Sequence, residues 1–281
     1  MKVNIIVDST TDLRPGLQDQ FAVVPLTVSF GDKEYVDGVT ITHKEFYEKL
    51  IESDVLPTTS QATPAAYDKV FSQVAERGET AVVITVASRL SGTYQSAMIA
   101  AEEYPGIIHV VDGATVAIGN GILAEQALAY RDQGLSAPEI AKKLEEDKQR
   151  VHIVALLDTL EYLKKGGRIS SAVAFAGGIL SIKPVVSIVD GEIRMLGKAR
   201  GSRQGNNLLV QEIQKAGGVD FDCPVLLGYT GLTDVLLKKY MEDSRTLWED
   251  GARSLDYVTI GSVVGTHAGP GAVAVAFFRK N

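Results

Sequence analysis

The chain has 281 residues, 45% of them hydrophobic and 22% charged, a balance that suits a globular protein of two domains or one large α/β unit and excludes disorder. Its 28 Lys and Arg against 35 Asp and Glu leave a formal charge of -7, which offers a phosphate backbone no general attraction, so nucleic acid is not an expected partner. The single cysteine, Cys223, excludes an internal disulfide framework, and no apolar run approaches the roughly 18 residues of a membrane span, so stable membrane insertion is not expected.

The first segment, "VNIIVDSTTDL", reads as a short aliphatic strand followed by Asp8, Ser9 and Thr10, with Ser9 or Thr11 suited to cap whatever comes next. An acidic residue arrives too early for a secretory leader, and the expected compartment is a reducing cytoplasm. Further on, "LPTTSQATPAAYDKVF" places Thr58, Thr59 and Ser60 in a loop after Pro57, with Thr63 capping a helix whose first residue is Pro64. Aliphatic runs at Thr80 to Val86, Gly106 to Asp112 and Val151 to Leu157 alternate with helical patterns such as Ile122 to Gln133 and Ala137 to Arg150. Strands that alternate with helices imply a parallel sheet.

Past Leu157 the rhythm changes. "DTLEYLKKGGRISSAVAFAGGILSIKP" reads as two helical pieces broken at Gly166 and Gly167, and Ala172 to Leu180 is either core or the wall of a cavity. "PVVSIVDGEIRMLGKAR" is a hairpin signal, because Asp190-Gly191 suits a tight turn with positive backbone angles. A strand near Pro224 to Gly231, a helix from about Asp234 to Trp248 and the closing "YVTIGSVVGTHAGPGAVAVAFF" complete the chain. The expected fold class is α/β: an N-terminal domain, residues 1–157, with a mostly parallel sheet flanked by helices, and a C-terminal two-layer α+β domain, residues 158–281, with a mixed or antiparallel sheet. No internal repeat points to a solenoid.

The motifs bear on chemistry unevenly. Glycines after strands suggest nucleotide binding, yet the nearest match to a phosphate loop, Gly191 to Lys198, has the wrong spacing and lies in a hairpin, and "GNG" at Gly119 to Gly121 lacks the third glycine of a dinucleotide fingerprint. Asp8 and Asp12 do not have the Asp-x-Asp spacing of haloacid-type phosphatases, so no metal and no resident cofactor is expected. Cys223 has no adjacent histidine and reads as a small core thiol. The stretch "VASRLSGTYQSAMIAA" joins a strand to an alanine-rich helix through Ser91, Gly92 and Thr93. A hydroxyl beside unpaired helical N–H groups is a cap, and the same shape receives a carboxylate or phosphate. The alternative is a serine hydrolase or acyl transferase with Ser91 as nucleophile, His267 as base and Asp8 as its orienter, although the glycine that precedes the serine of a nucleophile elbow is missing.

Taken together, "DSTTDL", "VVPLTV", "PTTSQATP", "LSGTYQSA", "LDTLEYLKKGGRI", "GKARGS" and "GTHAGPGAVAV" resemble the DegV family in order and wording across essentially the whole chain. The resemblance implies a bacterial, cytoplasmic protein that binds one long-chain fatty acid such as palmitate. It further implies that the acid's carboxylate is presented to a separate ATP-binding fatty acid kinase subunit, a step in phospholipid metabolism, while this chain is not catalytic alone. The implied carboxylate contacts are Thr59 and Ser91, with Ser60 and the backbone of Gly92 beside them. Arg168, Arg200 and His267 match basic positions that the family uses around phosphoryl transfer or for docking the kinase subunit, and the tail is expected in the C-terminal domain. A sixteen-carbon tail offers about fifteen CH2 and CH3 groups, so its burial at roughly 0.8 kcal/mol each yields about 10 kcal/mol gross before association costs. Neutral hydroxyl donors orient the head group without drawing away the charge that must attack phosphorus.

Overall fold

The computed structural model describes residues 2–169, 182–249 and 255–280. The opening strand β1 (Val3–Asp8) is the centre of a four-stranded sheet with β2 (Phe21–Val24), β6 (Thr80–Thr85) and β7 (Ile108–Asp112), in the order β2-β1-β6-β7, all parallel. Both faces of such a sheet are covered, so its strands are aliphatic throughout rather than alternating. Val3, Ile5 and Val7 of β1, with Val82 and Ile84 of β6, pack on one side against Ile122 and Leu128 of α4 (Ile118–Asp132) and Ile140 and Leu144 of α5 (Ala137–Asp147). Ile6, Ala81 and Val83 point to the other side, against Phe46 and Tyr47 of α1 (His43–Glu52), Tyr67 and Phe71 of α2 (Pro64–Glu76) and Ala97 of α3 (Thr93–Ala101).

Between β2 and α2 the chain forms a small antiparallel sheet of β3 (Thr27–Phe30), β4 (Lys33–Val36) and β5 (Thr58–Ser60), in the order β4-β3-β5. The segment expected as a loop after Pro57 is therefore the edge strand β5, with Thr59 opposite Val28. Threonine is β-branched, and three such residues suffice to pair once a neighbour strand is present. Thr63 caps α2 as expected, accepting from the Ala66 amide, with Pro64 in the first turn.

The second sheet has six strands in the order β10-β9-β8-β13-β11-β12: β8 (Val151–Leu156), β9 (Ile182–Val189), β10 (Glu192–Arg200), β11 (Leu226–Tyr229), β12 (Tyr257–Thr259) and β13 (Val273–Phe278). It is antiparallel except where β11 meets β12. The expected hairpin joins β9 to β10 through Asp190 and Gly191, both at positive φ. One face packs on α7 (Gly201–Lys215), α8 (Val235–Asp243) and α9 (Arg245–Trp248), through Leu209, Ile213, Leu237, Tyr240 and Trp248. The opposite face supplies Ile153, Ala274 and Ala276 to the cluster around α4, which stands between the two larger sheets. Two shorter helices, α6 (Glu161–Lys165) and α10 (Ser262–Ala268), carry the glycine-rich turns near the cavity described below.

Several expectations are corrected. The run Val151–Leu157, read as part of the N-terminal unit, contributes β8 to the second sheet, antiparallel to β9 and β13; an aliphatic run carries no mark of the sheet it joins. A division by sheet would therefore fall before Val151. The helix α4 begins at Ile118 rather than Ile122, after Ala117 at φ 57°, ψ -132°, because tertiary packing overrides the low helix propensity of Gly119 and Gly121. Residues 234–248 form two helices broken at Ser244, whose hydroxyl donates to the Tyr240 carbonyl and accepts from the Trp248 indole. No helix cap follows β1: Asp8 accepts from the Val86 amide and from the amide and hydroxyl of Thr10, and Ser9 accepts from the Leu26 amide. The helical piece expected over Ala172 to Leu180 lies outside the described residues.

Candidate functional site

A cavity of about 410 Å3 lies against the α4-side face of the second sheet, within the roughly 300–1,000 Å3 of small-molecule sites. Its walls are aliphatic: Ile153, Ala155, Val186 and Ala274 from the second sheet face Ala117 and Ile260. Ala155 and Ala274 are cross-strand partners, so two small side chains meet where larger ones would close the space. Residues of both halves line it, so it is not confined to the C-terminal half. Among the polar residues that line it, Thr10 and Ser187 turn to their own partners, Asp8 and the Ile188 carbonyl. Of the others, Thr59 pairs with His267, while Ser91, Gln61 and Arg168 each bond to neighbours of their own.

Thr59 Oγ1 and His267 Nε2 lie 2.9 Å apart. The pairing of β5 with β3 sets the threonine, and α10 carries the histidine in its last turn. Burial first, and the charge of Arg168 second, push the His267 pKa down to about 4, so the ring is neutral at pH 7. A neutral ring that donates from Nε2–H leaves Thr59 free to donate its own hydroxyl proton outward. His267 thus pairs with a hydroxyl of the site as a neutral imidazole.

Ser91 sits immediately before α3, where its hydroxyl accepts from the Thr93 amide at 3.3 Å and pairs with the Thr93 hydroxyl at 2.9 Å. It is the expected cap in part, with Gly92 as the boundary residue of the helix. Gln61, one residue after β5, donates to the Ser96 hydroxyl of α3 at 2.9 Å, and a Cβ on Gly92 would stand 2.1 Å from its Oε1. That close approach holds Thr59 and Ser60 beside Ser91. Gln61 is the residue that sequence reasoning missed; its only signal was its place in "PTTSQATP".

Arg168 reaches the same place from the turn after α6. Its Nε donates to the Leu90 carbonyl at 3.2 Å and its Nη1 to the Gly166 carbonyl at 2.7 Å, which commits two of the five guanidinium donors. Gly166 permits the turn to press on the imidazole, since a Cβ there would meet His267 Nδ1 at 2.1 Å. Thr59, Ser60, Ser91, Gly92, Arg168 and His267 all line the cavity. Arg200 does not: it lies exposed at the end of β10, its amide donating to the Gln204 side chain.

The arrangement does not form a hydrolase triad. His267 is bonded to Thr59, Ser91 to Thr93, and Asp8 to Thr10 and Val86, so no chain runs from serine through imidazole to carboxylate. Desolvation first, and the neighbouring Asp220 second, raise the pKa of the half-buried Cys223, so it is no ready nucleophile. Among the described residues no three of His, Cys, Asp and Glu converge to hold a metal, and no helix is long and apolar enough to cross a membrane.

Comparison with known proteins agrees with the fold. The family model described as "Uncharacterised protein, DegV family" matches residues 2–280. A DegV domain-containing protein of Caldanaerobacter subterraneus subsp. tengcongensis is 34% identical over 99% of each chain. The solved structure of a fatty-acid-binding DegV family protein from Thermus thermophilus superposes with a TM-score of 0.88 at 28% identity, covering 99% of this chain and 100% of that one. A stearic-acid-binding protein from Eubacterium ventriosum gives a TM-score of 0.88 at 30% identity, covering 99% and 98%. With its whole described length matched, this chain belongs to the DegV family.

Proposed function

We propose that this protein holds a single long-chain fatty acid, tail in the aliphatic cavity and carboxylate against Thr59 and Ser91, and presents it to a separate ATP-dependent kinase subunit. The observation that carries the reading is two hydroxyl pairs, Thr59 with His267 and Ser91 with Thr93, brought to the wall of one largely aliphatic cavity. A free acid matches both parts. Its tail removes apolar surface from water, and its carboxylate meets hydroxyl donors and the start of α3. The fatty acids bound by the Thermus and Eubacterium proteins support the ligand class.

The division of labour follows from charge. Hydroxyl donors leave the carboxylate its full charge, whereas a bidentate arginine would neutralise it. In the transfer, one carboxylate oxygen forms a bond to the terminal phosphorus of ATP, the bond from that phosphorus to the bridging oxygen breaks, and ADP leaves with the electron pair. Arg168, anchored at the cavity wall with donors to spare, suits the developing phosphoryl charge. Arg200, exposed and away from the cavity, suits the partner's surface. This chain supplies position and the partner supplies ATP, so no cofactor is needed here.

Native mass spectrometry of protein purified from a bacterial host tests the first half: one free fatty acid per chain is expected, and a protein that emerges and stays empty when offered palmitate would remove the reading. Acyl-phosphate formation on adding a fatty acid kinase subunit and ATP tests the second. A fluorophosphonate adduct on Ser91 would favour the hydrolase instead.

A further inference from the structure

A second cavity, of about 640 Å3, lies on the other side of the β1 loop, between the small antiparallel sheet and the β11–β12 edge of the six-stranded sheet. Asp12 and Asp37 line it at 5% and 3% exposure. Oδ1 of Asp12 accepts from the Gly261 amide at 2.8 Å, but its Oδ2 and both oxygens of Asp37 make no hydrogen bond of normal length and angle, although Ser9 and Ser262 stand near Asp37. Leaving a buried carboxylate oxygen unpaired is costly, and two carboxylates facing one space compound the cost. Burial, and after it repulsion from Asp37, push the pKa of Asp12 well up; that of Asp37 is raised by burial and eased by the neighbouring Ser9, His43 and Ser262, of which His43 also lines the cavity.

The remaining walls say what would relieve this. The rings of Tyr229 and Tyr257 line the cavity with centroids 6.2 Å apart, tilted at 59°. Val23 and Val39 form its rim and are 45% and 71% exposed. A floor of two under-bonded carboxyl groups, an aromatic wall and an apolar rim together match a cation that bears N–H donors and an alkyl portion. A bare metal ion fits less well, since the described His, Cys, Asp and Glu residues offer no converging set of three ligands.

We infer that this cavity is a second ligand site, which takes a small alkylammonium compound with its protonated nitrogen between Asp12 and Asp37 and its alkyl portion toward Val23 and Val39. It is separate from the fatty-acid cavity, and its occupancy does not depend on the lipid reading.

The test is calorimetric titration of the full chain, saturated with palmitate, by n-hexylammonium chloride, with hexan-1-ol as the neutral counterpart of equal length. One hexylammonium per chain is expected, bound about tenfold or more tightly than the alcohol, with a similar loss in Asp37→Asn. Tyr257→Leu, at the half-exposed wall, should weaken hexylammonium as well and guards against misfolding of the Asp37 variant. Equal binding of amine and alcohol, or amine binding untouched by both substitutions, would overturn the site. So would saturation by magnesium chloride without the amine, or capture of a lysine-bearing peptide but no free amine.

Discussion

The aliphatic cavity and the acidic one, of about 410 and 640 Å3, differ in how their polar side chains are partnered. In the first, most polar side chains have a neighbour to bond: Thr59 with His267, Ser91 with Thr93, Arg168 with two backbone carbonyls, although His267 Nδ1 is left without one. In the second, the carboxylates of Asp12 and Asp37 face the space with oxygens unpaired. A ligand that arrives mainly by burying its tail can be received by polar groups already largely paired, which then only orient its charged end. A ligand held by its charge needs the opposing charge left open for it.

The largest effect should come from filling the aliphatic space. Ala274→Phe would displace about four methylenes of the tail at roughly 0.8 kcal/mol each, a loss of some hundredfold in palmitate affinity. Unchanged affinity would mean the tail lies elsewhere. Next is the neutral imidazole. As pH falls below its ordinary value of 6.5 an exposed histidine of the unfolded chain takes up a proton, while the folded His267 resists until about pH 4. The wild type therefore loses stability between those values, by at most about 3 kcal/mol, relative to His267→Gln, which does not titrate there. Denaturant melts of both proteins at pH 7 and pH 5 should show the gap shifting against the wild type on acidification; a gap independent of pH would mean the imidazole is charged or unconstrained.

Smaller again, Thr59→Ala and Ser91→Ala should each weaken head-group anchoring by about 1 kcal/mol with the tail still bound, and reduce acyl-phosphate yield. If both quantities are unaltered in both variants, those hydroxyls do not meet the carboxylate. Least of all for the ligand, Arg200→Ala should leave palmitate affinity as it was and lower only partner-dependent phosphorylation. A drop in affinity with normal turnover of what remains bound would place Arg200 with the ligand and not the partner.

Much of this was legible in the residues. The alternation of aliphatic runs with helices specified the parallel sheet, Asp190-Gly191 specified the hairpin, and Thr63-Pro64 marked where α2 begins. Each is a local signal, because strand periodicity, turn geometry and capping act within a few residues. The motifs around Thr59, Ser91, Arg168 and His267 pointed to one site, and the fold does bring all four to one cavity.

What the sequence could not contain is the pairing between distant residues. That β8 joins the mixed sheet and not the parallel one, that Gln61 ties β5 to α3, and that the His267 ring meets Thr59 are outcomes of segments far apart in the chain meeting in space. The same holds for Asp12 and Asp37, which read as ordinary acidic residues until their surroundings are known. Burial and partner geometry decide a side chain's charge and role, and both are properties of the folded neighbourhood and not of the residue itself.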